Sequence, residues 1–234
     1  MVLPCEKAGD RSLSRGVKSV LFTVTAAVVM VGLGLCAIEA RAVDSVLVNC
    51  VETPGIKDVT DAQKPAVFNI SNNLARKAGS PDSAEGKKIF LIGRVTDAHC
   101  NPVTNANVFI WQADSRGVYS GDPGYDKMFL GSGKATTDNL GNYGFITVMP
   151  GKHRGADPKV HFLIKHHAFP DFQTEMFFEG ENSIRHSSLS RIPRAMKRLL
   201  TARHVGQEYG VDIYEFNLTF ADIEDTPYEP KSEK

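Results

Sequence analysis

The chain has 234 residues, with 27 Lys+Arg balanced by 27 Asp+Glu and a formal net charge of +0 at pH 7. That length suits one or two domains. The balanced charge supplies no electrostatic footprint for nucleic acid as a partner.

The first predicted element is a targeting segment over residues 1–42. Lys7, Arg11, Arg15 and Lys18 form a basic start, and Ser19 to Ile38 are apolar or small without a charge. Ala40-Arg41-Ala42 then gives an A-x-A cleavage pattern. The series predicts a secretory signal cleaved after Ala42. The competing reading is an uncleaved N-terminal membrane anchor, because the apolar run nearly reaches bilayer-spanning length. Bulky Leu35 before Cys36 argues against a lipoprotein signal. The expected localisation is periplasmic or extracellular, with membrane contact only through this segment.

Removing it leaves 192 residues, with 22 of the basic and 24 of the acidic residues. That is enough for one domain with a sizeable core. Cys50 and Cys100 remain, and an oxidising compartment permits a bridge between them. The alternative is two buried thiols. Neither has a C-x-x-C partner, so zinc or thioredoxin-like chemistry is not suggested.

Residues 43–87 read as a covering segment, with a short strand at 46–51 and a small, polar loop at 71–86. The sheet domain is expected over 88–223. Its predicted strands are 89–95, 107–114, a hairpin turning at Asp138–Gly141, 160–167, 174–180 and 211–220. Short strands at regular spacing between turn residues predict a mainly β, antiparallel β-sandwich. One helix is expected near the C-terminus. Ser190 can cap it, Pro193 lies in its first turn, and RAMKRLLTARH continues the period. Ile192, Met196, Leu199 and Leu200 would face the sandwich, and Arg194, Lys197, Arg198 and Arg203 the solvent. The tail at 224–234 is polar and expected to be loose.

The segments GRVTDAHCNPVTNANVFIWQADSRGVYSG, GKATTDNLGNYGFITVMPG and DPKVHFLI, with FFEGE at 177–181, carry a resemblance. Together they resemble the core of the intradiol ring-cleavage dioxygenases, the protocatechuate 3,4-dioxygenase family, over about Asn72 to Ile223. The first two patterns alone also resemble transthyretin-like and Cna-B-like sandwich modules. The dioxygenase resemblance implies a β-sandwich, a ferric ion held by two Tyr and two His, and cleavage of a catechol-type aromatic by O2.

By this resemblance Tyr119 and His161 stand at two ligand positions. Lys159 stands where the family has the first His of its pair, and His153 where it has a Tyr. Ala156 stands in place of an Arg, and Glu175 in place of a Gln. Tyr119, His161 and His153 are therefore the candidate metal residues, with Fe(III) the implied cofactor. A phenolate needs a strong Lewis acid beside it to exist at neutral pH. Lys159 is a charged donor and repels a cation. The plainer alternatives are a Tyr that caps the sandwich and a His hydrogen-bonded on a sheet face. Trp111 reads as core and Glu179 as structural. His166 and His167, adjacent on a strand, are expected on opposite faces.

Two functions follow. One is an exported intradiol dioxygenase-family oxidoreductase of aromatic compounds, with altered or lost activity because two ligand positions are changed. The other is a non-catalytic periplasmic sandwich, a binding or envelope-structural module.

Overall fold

Apolar residues alternate along much of the chain, and a period of two buries one face of a strand. A computed structural model describes residues 50–56, 63–180 and 193–221. In these residues the alternation becomes β1 (Lys88–Thr96), β2 (Asn107–Trp111), β3 (Ser132–Thr136), β4 (Asn142–Val148) and β5 (Lys159–His166). β6 (Phe169–Phe178), β7 (Thr201–Glu208), β8 (Val211–Glu215) and β9 (Leu218–Thr219) follow, with helix α1 (Arg194–Lys197) before β7. The predicted signal segment, the cap residue Ser190, Ile192 expected on the sandwich, and the tail lie outside the described residues.

The strands pair in the order β3-β2-β5-β6-β7-β8-β1-β4, with β9 on β1. Most pairs are antiparallel; β1–β8, β1–β9 and the two-residue β6–β7 pairing are parallel. The path folds on itself as a sandwich. Phe162 of β5 meets Phe216 and Tyr143 at ring-centroid distances of 5.2 and 6.0 Å, although β5 is no ladder neighbour of β4 or β8. Each such buried aromatic contributes roughly 1.5–3 kcal/mol of transfer free energy.

β3 and β4 end the path, so each has an open edge. The chain at 71–74 bonds to both. Ser71 O accepts from Lys134 N at 3.2 Å, Asn72 O accepts from Ile146 N at 2.9 Å, and Leu74 N donates to Ile146 O at 2.7 Å. Cys50 and Cys100 form a disulfide with Cα atoms 5.2 Å apart. On the chain-entropy account a crosslink of this span contributes about 4 kcal/mol.

Three expectations need correction. The predicted hairpin at Asp138–Gly141 is a tight turn, closed by Gly141 N to Asp138 O at 3.0 Å, but not a hairpin ladder. It hands the chain from one layer to the other, because β3 pairs with β2 and β4 with β1. The run 211–220 breaks at Phe216–Asn217 into β8 and β9, both beside β1. The helix is also far shorter than RAMKRLLTARH. Thr201 Oγ1 bonds Lys197 O at 2.8 Å, and residues 201–208 form β7, which pairs with β8 and touches β6. Ladder bonds on both sides outweigh the helical period of that stretch. Met196 is exposed rather than packed on the sandwich, whereas Leu200 is fully buried.

Candidate functional site

Three strands of one layer position the site. In β5, Val160, Phe162 and Ile164 enter the sandwich core, so Lys159, His161 and Leu163 point to the opposite face. In β2, Val108 and Ile110 point inward and Phe109 and Trp111 outward. In β6, Met176 and Phe178 enter the core, so Glu175 shares the outer face. Ladder register sets Trp111 opposite His161, and His161 opposite Glu175. Lys159 is diagonal to Glu175 on that face, within reach of a long side chain.

The outer face is covered by the loop after β2. Its centre is Asp114, 1% exposed. Asp114 Oδ1 accepts from Arg116 N and Val118 N, and Oδ2 from Asp126 N, each at 2.9 Å. This loop crosses the segment after β4 at two glycines. A Cβ on Gly117, whose φ is +84°, would lie 2.2 Å from Lys152 O; one on Gly151 would lie 2.4 Å from Gly117 N. The crossing is possible only without side chains there. It brings Tyr119 and His153 to the outer face together.

Tyr119 Oη lies 2.9 Å from His161 Nε2. Both side chains are buried, His161 to 1% exposure. The His161 ring stacks on Trp111 with centroids 4.9 Å apart and planes 13° from parallel. His153 Nδ1 lies 2.7 Å from Gly117 O; a carbonyl only accepts, so that nitrogen carries a ring proton. The His153 ring meets Tyr119 edge-on at 4.9 Å. The three candidate metal residues are thus assembled, with Tyr119 touching both imidazoles.

Electrostatics complete the picture. Lys159 Nζ bonds Glu175 Oε1 at 2.7 Å, and the same oxygen lies 3.4 Å from His161 Nδ1. Among the described residues Nδ1 has no hydrogen-bond partner. Burial, and then the Lys159 charge, push the His161 pKa down to about 3, so the ring is neutral. Burial, and then the Glu175 charge, push Tyr119 well above its usual value, so the hydroxyl keeps its proton and donates to His161 Nε2.

Other candidates fall elsewhere. His166 and His167 do not separate onto opposite faces; their rings lie 4.2 Å apart because β5 ends at His166 and the chain turns. Glu179 fastens β6 to β7, its backbone N–H donating to Ala202 O at 3.2 Å. Trp111 is buried core as expected, in a second apolar cluster on the site face with Ala113, Tyr119 and Leu163; strand parity with Val108 and Ile110 shows which face. Asp114, which builds the covering loop, carries no site role in the sequence reading; an Asp three residues before a Gly, at a strand end, is its signal.

Among the described residues no three His, Cys, Asp or Glu cluster as a metal site; the candidate set differs by including a tyrosine. Two donor atoms 2.9 Å apart suit neighbouring ligands of one ion at bond lengths of about 2.0–2.1 Å. Tyr119 and His161 therefore fit a metal ion with His153 beside them, whereas Lys159 is committed to Glu175.

The Dioxygenase family model (Dioxygenase_C) matches residues 64–221. The chain is similar to the protocatechuate 3,4-dioxygenase beta chain of Burkholderia cepacia, 29% identical over 184 residues, covering 68% of this chain and 75% of that one. It is 33% identical over 138 residues to a Rickettsia bellii protein named "Putative dioxygenase", covering 54% of this chain and 66% of the relative's length, just under two thirds. Among solved structures, the intradiol ring-cleavage dioxygenase of Tetranychus urticae aligns with a TM-score of 0.56 at 21% identity, over 74% of this chain and 96% of that one. Hydroxyquinol 1,2-dioxygenase of Pseudomonas putida DLL-E4 gives the same TM-score at 17% identity, over 74% of this chain and 67% of that one. These two show the fold alone. With the fold, the matched span and the relatives in agreement, the chain belongs to the intradiol ring-cleavage dioxygenase family.

Proposed function

We propose that the chain is an exported intradiol dioxygenase-family oxidoreductase with a remodelled metal site and a catechol-type aromatic as its substrate class. The family is generally Fe(III)-dependent. Tyr119, His161 and His153 are the residues that would hold the ion here. The observation that carries the reading is the convergence of Tyr119 Oη and His161 Nε2 at 2.9 Å on one buried face.

A bound ferric ion would supply Lewis acidity, holding a catecholate and keeping Tyr119 ionised. The chain's own residues do the rest. Trp111 fixes the His161 ring plane. Gly117 O orients His153. The loop centred on Asp114 covers Tyr119. His153 cannot serve as a departing tyrosinate, and Lys159 adds a positive charge, so ordinary ring cleavage is expected to be weak or lost. Export is supported by the N-terminal signal pattern and by the Cys50–Cys100 disulfide, which persists in oxidising compartments.

A second reading is favoured by the Lys159–Glu175 pair, which occupies a ligand position with an internal ion pair. It makes the protein a non-catalytic periplasmic module. Iron reconstitution separates the two. Metal stoichiometry, visible absorption and O2 uptake with catechol and protocatechuate would be recorded for the wild type and for Tyr119→Phe and His161→Ala. Iron bound by the wild type and lost in both variants supports the remodelled site. Absence of binding in the wild type supports the module. Tight ferric binding with strong tyrosinate absorption and ring cleavage would overturn the expectation of altered activity.

A further inference from the structure

We propose that the segment Arg194–Leu200 docks the domain on the surface of an anionic phospholipid membrane. Arg194, Lys197 and Arg198 meet the headgroup phosphates, and Met196 meets the first acyl carbons. The inference goes beyond the ring-cleavage reading, and its test needs neither iron nor turnover, so its failure leaves that reading untouched.

Charge distribution comes first. Residues 193–207 hold four Lys/Arg and no Asp or Glu. The rest of residues 43–234 holds 18 Lys/Arg against 24 Asp/Glu. One basic element therefore stands on an otherwise acidic domain. An anionic surface attracts that element and repels the remainder, which selects one orientation. Locally, α1 runs directly into a 3-10 turn at Arg198–Leu200. Arg194, Lys197 and Arg198 are three and four residues apart, so they share one side of the helical turn. Among the described residues none of these three forms an ion pair, whereas Arg203 is bonded to Glu215 at 2.5 Å. Like charges at this spacing repel, and α1 has no acidic residue in its first turn to offset them. An ordinary solvated face mixes the two signs. This one is costly in water and is relieved beside anionic headgroups.

The apolar side chains point to a lipid surface rather than a soluble polyanion. Pro193, Ala195 and Met196 are all exposed, Met196 to 47%. Leu200, by contrast, is fully buried and fastens the turn to the sheet with Phe177 and Ile56. Cations interleaved with exposed apolar groups fit the boundary between headgroups and hydrocarbon. Chain connectivity agrees. Ile56 belongs to the strap that starts at Cys50, where Cys50 N donates to Ala98 O at 2.9 Å and the disulfide holds Cys100. Only twelve residues separate Cys50 from Ile38, the last of the apolar run, a reach of about 40 Å at full stretch. A tether of that length raises the effective concentration of the basic element at a bilayer that retains the apolar run.

The test uses the full chain in lipid nanodiscs, with hydrogen–deuterium exchange read over residues 194–200. The N-terminal segment is present in every sample, so it does not contribute to the differences. On phosphatidylcholine alone the turn is expected to exchange freely. With about 30% phosphatidylglycerol it should exchange about tenfold more slowly, and high salt should abolish the difference. R194Q/K197Q/R198Q is expected to exchange alike on the two lipids. K77Q/K88Q/K127Q, which removes the same charge from exposed positions elsewhere, should behave as the wild type. Met196→Ser should weaken the slowing about threefold. Equal exchange of the wild type on the two lipids, or slowing that survives R194Q/K197Q/R198Q, would overturn the proposal. So would an equal loss in K77Q/K88Q/K127Q, which would trace the effect to net charge. Slowing by heparin without lipid, as strong as on the anionic disc and unchanged in Met196→Ser, would assign the element to a soluble polyanion instead.

Discussion

The strands β2, β5 and β6 bury residues on two faces of opposite chemistry. Inward, Val108, Ile110, Phe162, Ile164, Met176 and Phe178 form an apolar core. Outward, Trp111, His161 and Glu175 are as deeply buried, yet carry polar atoms that cost free energy to desolvate. Trp111 Nε1 and His161 Nδ1 have no hydrogen-bond partner among the described residues. Burial alone therefore does not separate core from site. What separates them is whether the buried atoms gain from being dry. The inner face stabilises the fold, and the outer face is tolerated because the inner one is strong.

The largest effect is expected on the inner face. Phe162→Ala removes a fully buried ring packed on Phe216 and Tyr143. It should cost about 3–5 kcal/mol of unfolding free energy in urea titration. A cost under about 1 kcal/mol would mean that the two layers do not share a core at this point.

On the outer face the dominant cost should depend on pH. In the metal-free protein His161 is held neutral with its pKa depressed to about 3, against an ordinary value near 6.5. Between these values the unfolded chain binds a proton that the folded chain refuses, so stability falls as the pH drops. By pH 4 the loss from this one group is about 3 kcal/mol. Urea midpoints measured from pH 7 to pH 4 should show the decline in the wild type, and His161→Leu should flatten most of it. An equal slope in the variant would place the acid sensitivity elsewhere.

The ion pair gives a smaller, more diagnostic result. Lys159→Met removes a charge-assisted hydrogen bond to buried Glu175 and should cost about 2–3 kcal/mol at pH 7. Adding Glu175→Met should recover most of the loss. A double-mutant cycle with additive effects would show that the two side chains do not depend on each other.

Much of this arrangement was legible in the sequence, and the illegible part has a physical cause. Strand positions follow from alternation, and Tyr119 and His161 from their place in the family pattern. The match of Lys159 with Glu175 is a ladder property: residues sixteen apart meet because β5 and β6 are in register, which no local window contains. The helix failed for a related reason. Residues 201–204 have a helical period, but β6 and β8 offer them hydrogen bonds on both edges. Trp111 is core, as its sequence implies, but burial by itself does not say on which face of β2 it lies.

The smallest expected effect tests whether a polar cluster outside the site behaves like the site. Asp212 of β8 is paired with Lys87, with Gln207 Nε2 at 2.5 Å and with His204 Nε2 at 3.1 Å. The hydrogen bonds from Lys87 and Gln207 hold its carboxyl well below the usual carboxylate range. The sign is opposite to that of a group buried without partners: ionised Asp212 is favoured by the fold. Its contribution is complete above the unfolded carboxylate pKa and fades as the pH falls below it toward the depressed folded value. At pH 7 Asp212→Asn should lower Tm by about 2–4 °C, and the difference from wild type should shrink below pH 4. If instead the gap widened on acidification, the carboxylate would not be the stabilising form. Cluster and site would then share one rule, in which buried charge is a cost borne by the core.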